Sequence, residues 1–510
     1  MLTDLFESSV FYLCLGIVAY IIYKWHFPKK HNLPPGPKAW PIIGSIPDPY
    51  SSPLSYKRLI EDWKEKYGEI ILFKRMGMNF VYVSDYKLGY QAFVKDYSNE
   101  LAGRPLNSVD RLSVGNENIF FTRSLDAGWT ELRKQIMIML RKVAEPQKMT
   151  EISNNAYELF ATHIREKKEL VSDGGFYVEQ LCYWVGHNIL VQVFWEDAVE
   201  FDNPNYQDTI SVIGKLMAKV GNLAFFDITP LNCLPHPGKN KILEYSKYLS
   251  DKVQKHIKER KSDGNYKVNP KYFIDYCIEI QDNQKEQKEK YGQLPMLTDW
   301  FISNLSLDIY FAGMDAFGIG FSWTIGLLAT HPHVQDNIRK ELQKNDIENV
   351  ESFNYKMMDK LHYLNAVVNE VMRIHSLSSF TSFHRAMSDV KVGEYDIPKD
   401  TIIALNIYGA HYDPKYWKNP NEFNPDRFIN ADGKFQSPKE GFMPFGVGRR
   451  TCVAERYTVK ESHFIFTGRI CQDFKITWSS KNKTDKVEED LENTFFRHTA
   501  PFYVEFHPIK

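Results

Sequence analysis

The chain has few cysteines and almost no charge imbalance. Its six cysteines (Cys14, Cys182, Cys233, Cys277, Cys452 and Cys471) are scattered over 510 residues without a Cys-x-x-Cys pair. That spacing argues against a disulfide framework and a zinc site, and it suits a reducing compartment. The formal net charge of −1 offers no basic field for a nucleic-acid partner. Neither an internal repeat nor a long low-complexity tract is present, which argues against a solenoid or a disordered array. What is present is ordinary globular material. Hydrophobic residues at 43% leave ample core, and an aromatic share of 14% suits either a large apolar pocket or plain core.

The N-terminus reads differently from the rest. Val10 to Tyr23 carries no charge and one glycine, Gly16, and Ser8 and Ser9 extend it. It falls slightly short of the ~20 residues of a spanning helix. A cleaved signal peptide begins with basic residues, whereas here Asp4 and Glu7 precede the run and Lys24, Lys29 and Lys30 follow it. The positive-inside rule then places the N-terminus in the lumen and the remaining chain in the cytosol. Residues 1–30 are therefore expected to form a membrane anchor. Leu33-Pro34-Pro35-Gly36-Pro37 and Trp40-Pro41 follow, and successive prolines favour a stiff, extended connector over residues 31–42. Residues 43–510 remain for one globular domain.

Within that domain the patterns are mostly helical. Helical runs are expected over roughly 127–144, 150–167, 178–196, 298–330 and 356–376. Residues 70–73 and 80–84 alternate around Gly77 like a hairpin, and short strands are expected near 390–396, 401–405 and 472–478. The class is mainly α, in an α+β arrangement with small sheets.

One segment carries unusual chemistry: Phe445-Gly446-Val447-Gly448-Arg449-Arg450-Thr451-Cys452. Gly446 and Gly448 let the backbone adopt φ > 0 or pass close to a planar partner. Arg450 offers a donor fork suited to carboxylates. A helix is expected from about Val453 to Ser462, which would set the Cys452 sulfur at a helix N-terminus and lower its pKa. A lone cysteine near a helix start is more often a small buried hydrophobe. The spacing Phe-x-x-Gly-x-Arg-x-Cys, met at Phe445, Gly448, Arg450 and Cys452, resembles the haem-binding loop of the cytochrome P450 superfamily. Ala454 stands where that family usually has glycine. The resemblance implies the P450 fold, a haem b (iron protoporphyrin IX) cofactor and Cys452 as axial ligand of the iron.

The longest helical run contains Asp308, Ala312 and Asp315 at i, i+4 and i+7, with Gly313 and Ala316 alongside. Small residues there suit tight helix packing or the close approach of a ligand. The segment Ala312-Gly313-Met314-Asp315-Ala316 is similar to the family's oxygen-binding stretch, which implies roles for Ala312, Gly313 and Ala316 beside the haem and a part for Asp315 in proton delivery. The usual threonine is replaced by Ala316, which has no hydroxyl to donate or accept. Some branches of the family that lack it rearrange or dehydrate peroxides without external electrons.

Other matches flank this pair. Glu370 and Arg373 are spaced like any solvated i, i+3 ion pair, yet they look like the family's structural Glu-x-x-Arg, with Arg427 of Pro425-Asp426-Arg427-Phe428 as third member. Trp129 and Arg133 share a helix face and are similar to a pair that meets a haem propionate. His384 is a further propionate candidate, with Arg385 as its competitor. The resemblance also points to substrate contacts in 106–121, 220–230, 309–316 and 376–383, with Phe225, Phe226 and Phe380 as pocket or packing residues. Lys134, Arg141 and Lys142 could meet an acidic reductase or form a solvated face.

What the resemblance implies is a single-pass endoplasmic-reticulum protein with a cytosolic catalytic domain. It resembles the microsomal drug- and lipid-oxidising branch, a monooxygenase acting on a small lipophilic substrate with dioxygen. NADPH electrons would arrive through NADPH–cytochrome P450 reductase, with cytochrome b5 as a second partner. Two alternatives stay open: a haem-thiolate isomerase or dehydratase acting on a peroxide, and a non-catalytic haem protein.

Overall fold

The computed structural model describes residues 31–40, 44–45, 61–105, 127–167, 174–227, 238–284, 296–347, 353–438, 440–490 and 496–509, with Gly16, Lys290, Gly292 and Leu294. Apart from Gly16, the expected anchor lies outside the described residues, as do the loop 106–121 and the side chains of Phe225 and Phe226.

A 32-residue helix, Asp299–Thr330, runs through the middle of the protein. Thr298 caps it by accepting from the Phe301 N–H at 3.1 Å. The helix is apolar on nearly every side, and its length and composition would suffice to cross a membrane. Here it is the core helix instead, with Phe317, Phe321 and Leu328 wholly buried. It packs lengthwise on Val178–Phe194 because small residues open both surfaces. A Cβ on Gly186 would lie 2.8 Å from Phe317 Cβ, and one on Gly313 would lie 2.6 Å from Leu190 Cδ2.

Among the described residues the strands form small sheets. The hairpin Ile70–Arg75/Met78–Val83 turns at Met76 and Gly77, with φ of 45° and 80°, as a tight two-residue turn requires. Met78–Val83 then pairs in parallel with Ile402–Leu405, which pairs in turn with His384–Arg385. Near the C-terminus, Tyr503–Pro508 pairs with Phe474–Trp478 and with Phe176–Tyr177. The proline-rich segment is laid on the first sheet. Leu72 N–H donates to the Pro35 carbonyl at 2.9 Å, and a Cβ on Gly36 would collide with the Leu72 carbonyl.

Several expected boundaries move for local reasons. The run near 150–167 is the helix Pro146–Glu166, because proline fits the first turn where no N–H donor is needed. The run 356–376 divides into a short 3₁₀ turn, Tyr355–Asp359, and the helix His362–His375. Residues 390–396 are not one strand but a hairpin, Val390–Val392 and Tyr395–Ile397, turned at Gly393 with φ of 60°. Residues 472–473 finish the helix Lys460–Asp473 before the strand Phe474–Trp478 begins.

That last helix carries a buried acid. Glu461 accepts from Thr150 Oγ1 at 3.1 Å, while Thr150 Oγ1 accepts from the Tyr355 N–H at 3.2 Å. Burial pushes the Glu461 carboxyl up to about 7. A raised folded-state pKa means the contribution to stability is complete below the unfolded value and is lost as pH rises towards 7. Unfolding free energy is therefore expected to fall by up to about 1.4 kcal/mol per pH unit between about pH 4.5 and 7 from this group. Denaturant titrations of wild type and Glu461→Gln across that range check this, and the variant should lack that part of the slope.

Candidate functional site

The cysteine loop is shaped by two glycines with positive φ. Gly446 has φ of 70° and Gly448 of 81°, and a Cβ on Gly448 would lie 2.6 Å from the Phe93 carbonyl oxygen. The loop closes on itself: the Cys452 N–H donates to the Phe445 carbonyl at 3.1 Å, and the Gly446 N–H to the Met443 carbonyl at 3.0 Å. Phe445 packs at the edge of the main core, with the Lys460 ammonium 5.1 Å from its ring centre.

No α-helix starts at Val453. Residues 453–454 bend, a π-turn covers Glu455–Val459, and the α-helix begins at Lys460. The N–H groups of Thr458 and Val459 both donate to the Ala454 carbonyl, which sets that wide first turn. The sulfur accepts from the Ala454 N–H at 3.4 Å, and Arg133 acts in the same direction. Burial outweighs both and pushes the Cys452 thiol up, not down as a helix N-terminus would have done. Cys452 is deep in the protein yet keeps accessible surface, so its side chain borders an internal space.

Beside it lies a concentration of arginines. Arg450 Nε donates to the Ala102 carbonyl at 3.0 Å, and its guanidinium lies 4.3 Å from the centre of the Trp129 ring. Arg133, one turn on from Trp129, donates to the Thr451 carbonyl at 2.6 Å. The expected pair of Trp129 and Arg133 is thus brought against the cysteine loop. Arg104, which the sequence pattern did not single out, is buried and donates to the carbonyls of Ser382 and Phe383 at 3.0 and 2.8 Å. Burial, followed by the charges of Arg104, Arg133 and Arg449, lowers Arg450 to about 8. Gathering cations in the interior is costly, and an anion of more than one charge would relieve it.

His384 stands in the same group. Its ring crosses Phe93 edge-on at 5.0 Å, and Nδ1 lies 2.6 Å from the Leu101 carbonyl. A carbonyl only accepts, so Nδ1 carries the hydrogen. Burial first, then Arg104, hold this histidine well below its usual pKa. Its competitor Arg385 turns outward to Asp400 at 2.7 Å.

At the centre of the ion-pair network, Glu370 and Arg373 are wholly buried. Arg373 meets Glu370 with two bonds, Nε to Oε2 at 2.7 Å and Nη2 to Oε1 at 2.8 Å. Glu370 Oε1 also accepts from the Asn424 N–H at 2.9 Å and from Arg427 Nε at 3.3 Å. Arg373 in turn donates to the carbonyls of His411 and Pro420, each at 2.8 Å. The network reaches the cysteine loop through His411, whose Nε2 accepts from the Met443 N–H at 3.0 Å.

On the central helix, Ala312 is exposed, and Asp308, Asp315 and Ala316 keep part of their surface, in the middle of an otherwise buried element. Gly313 faces Leu190 and serves the helix contact. Asp315 accepts from Tyr183 Oη at 3.0 Å. The Ala316 carbonyl accepts from His463, whose ring lies against Gly320. Phe380 is buried against Tyr82, with ring centres 4.4 Å apart. Tyr183, His463 and Arg104 were missed because none has a periodicity or a neighbour in sequence that marks it.

The donor set fits haem: a deep, accessible thiol, and arginines gathered for a dicarboxylate. The sequence profile described as Cytochrome P450 matches residues 34–506. The chain belongs to the cytochrome P450 family. It is a monooxygenase oxidoreductase, and the family implies a haem cofactor. Cytochrome P450 71B22 of Arabidopsis thaliana is 25% identical over 454 residues, 87% of this chain and 88% of that protein. The steroid 17-alpha-hydroxylase/17,20 lyase of Squalus acanthias is 27% identical over 458 residues, 87% and 86% of the two chains. Cytochrome P450 2J3 of Rattus norvegicus is 26% identical over 460 residues, 88% and 86%. This P450 is therefore similar at one level to plant and animal members alike.

Proposed function

We propose that this P450 is a membrane-anchored, reductase-driven monooxygenase that inserts one oxygen atom into a small lipophilic substrate. Bound haem supplies the activation of dioxygen. Cys452 holds the iron, and Arg450, Arg133, Trp129 and His384 receive the haem carboxylates, with Phe445 and Gly448 shaping the loop. Gly448 keeps the loop backbone tight against Phe93, and Ala312 leaves floor for the substrate on the central helix. Glu370, Arg373 and Arg427 position the loop from behind.

The observation that carries the reading is the meeting of the accessible Cys452 thiol with Arg133, and of Arg133 with Arg450 and the buried Arg104, in one place. Electron supply has its own support. The helix that brings Trp129 and Arg133 to the loop exposes Lys134, Met137, Ile138, Arg141 and Lys142 on its outer side. A basic, partly apolar strip so near the loop suits an acidic reductase, and cytochrome b5 would use the same charge complementarity. The sequence 1–30 supports an anchor in the endoplasmic-reticulum membrane, with the catalytic domain in the cytosol. Among the relatives, the name steroid 17-alpha-hydroxylase supports a lipophilic substrate class.

Ala316 favours a second reading, an isomerase or dehydratase acting on a peroxide without external electrons. The two separate in one experiment. Purified protein with reductase and a panel of steroids and fatty acids is expected to consume NADPH and yield hydroxylated product. Turnover of a lipid hydroperoxide without NADPH, and no NADPH-dependent product, would overturn the first reading in favour of the second.

A further inference from the structure

Monooxygenation consumes two protons with two electrons for each oxygen atom inserted, the other oxygen leaving as water. The central helix has no hydroxyl at position 316 to pass those protons inward. The structure supplies a hydroxyl from another helix. Tyr183 Oη donates to Asp315 Oδ1 at 3.0 Å. Its ring reaches the central helix because position 318 is glycine: a Cβ there would lie 2.8 Å from three atoms of the Tyr183 ring.

One turn earlier on the same helix stands Glu179, at i−4 from Tyr183 and so on the same face. Glu179 accepts from Tyr177 Oη, and its Oε1 lies 3.7 Å from His498 Nδ1. His498 comes from the C-terminal segment, beside Arg497, which is held by the Ile374 and His375 carbonyls and by Glu489. The two outer groups meet solvent, with 34% of the Glu179 side chain and 18% of the His498 side chain exposed. Asp315 is deep, yet like Cys452 it keeps accessible surface, and so does Tyr183. Four groups from three elements thus run from the surface to the residue preceding Ala316.

The electrostatics agree with a connected path. Burial raises the Asp315 carboxyl above its usual range, and His498 and Tyr183 oppose that rise. Tyr183 in turn feels Asp315, Glu179 and Cys182. A carboxyl of this kind can hold a proton in the interior and release it.

We propose that Glu179, His498 and Tyr183 form a proton inlet that delivers solvent protons to the Asp315 carboxyl. Tyr183 donates its hydroxyl proton to Asp315 Oδ1 and takes a replacement on the same oxygen from the Glu179–His498 side through a bridging water. The tyrosine ends neutral, and only O–H and N–H bonds change. The inlet rests on the monooxygenase reading, because a peroxide rearrangement needs no net protons from solvent.

The test uses the haem-loaded full chain. Tyr183→Phe keeps the ring that fills the space at Gly318 and removes only the hydroxyl. Infrared difference spectra on transfer to deuterium oxide identify the Asp315 carboxyl band by its loss in Asp315→Asn. The exchange rate of that band is expected to fall about tenfold or more in Tyr183→Phe, and to fall as well in Glu179→Gln and His498→Ala. Imidazole is expected to restore exchange in His498→Ala. In turnover, Tyr183→Phe should lower kcat with KM unchanged, enlarge the solvent isotope effect and divert NADPH to hydrogen peroxide. Unchanged exchange in Tyr183→Phe would overturn the inlet whatever the turnover. Absence of any NADPH-dependent product in wild type, with exchange still sensitive to Tyr183, would overturn the monooxygenase reading alone.

Discussion

Cys452→His is expected to abolish the strongly red-shifted Soret band of the reduced, carbon-monoxide-bound protein completely. The shift would report a thiolate on the haem iron, and no other described cysteine can replace this one. Cys182, Cys277 and Cys471 are buried in apolar packing, and burial pushes all three thiols up, Cys471 to about 12. An imidazole at position 452 would bind iron as a neutral ligand and leave the band unshifted. A wild-type band without the shift would overturn the ligation itself. The raised Cys452 thiol adds a second observable. A thiol that is protonated when free must lose its proton to the metal. Loading apo-protein with ferric haem near pH 7 should therefore release about one proton in weakly buffered solution. The Ala454 N–H and Arg133 stand ready to stabilise the resulting negative charge.

Glu370→Ala is expected to abolish haem incorporation and to cost about 3–5 kcal/mol of stability, the usual penalty for breaking a buried pair from one side. Against a total stability of about 5–15 kcal/mol that is a large fraction. The cause can be followed bond by bond. Without the carboxylate, Arg373 is left as a buried cation, Arg427 loses its anion and the Asn424 N–H loses its acceptor. Arg373 then no longer fixes the His411 and Pro420 carbonyls. His411 is the hinge of this arrangement. Ser376 donates to the Arg373 carbonyl and takes the His411 Nδ1 hydrogen, leaving Nε2 to accept from Met443. Burial lowers His411 to about 3, so it keeps that neutral form at all ordinary pH. Met443 opens the turn that ends at Cys452. The ratio of haem absorbance to protein, with a thermal melt, measures the effect, and Glu370→Gln should fall between wild type and alanine. A folded, haem-replete Glu370→Ala protein would overturn the assignment.

The parts of the site that were legible in the sequence are those whose spacing is set within one element. Glu370 and Arg373, or Trp129 and Arg133, lie on one helix face by arithmetic alone, and the glycines of the cysteine loop mark their own backbone angles. Contacts between elements were not legible in the same way. Tyr183 is one aromatic residue among many on an apolar helix until Gly318 admits its ring. Asp315 lies near Ala312 in sequence, yet its bond is to Tyr183 on the neighbouring helix. The onset of the helix after Cys452 was misplaced because the wide turn at Ala454 depends on how the loop packs, not on propensity. Gly238–Asp263 had a thin apolar stripe, Ile242, Leu249, Val253 and Ile257, within a run dense in lysine. Burial against other helices decides such a segment.

The parallel pairing of Met78–Val83 with Ile402–Leu405 bears on how the chain is made. The bond from Asn406 Nδ2 to Ser84 Oγ at its end joins residues 322 positions apart. At about 5–20 residues per second, a ribosome needs roughly 15–60 s to supply the second strand after the first. Through that interval the hairpin waits with one edge uncovered, in a crowded setting where bare edges attract other chains. The sheet that frames the site can close only when synthesis is nearly finished, so haem capture must be a late event, and the early chain is the stage most in need of a chaperone.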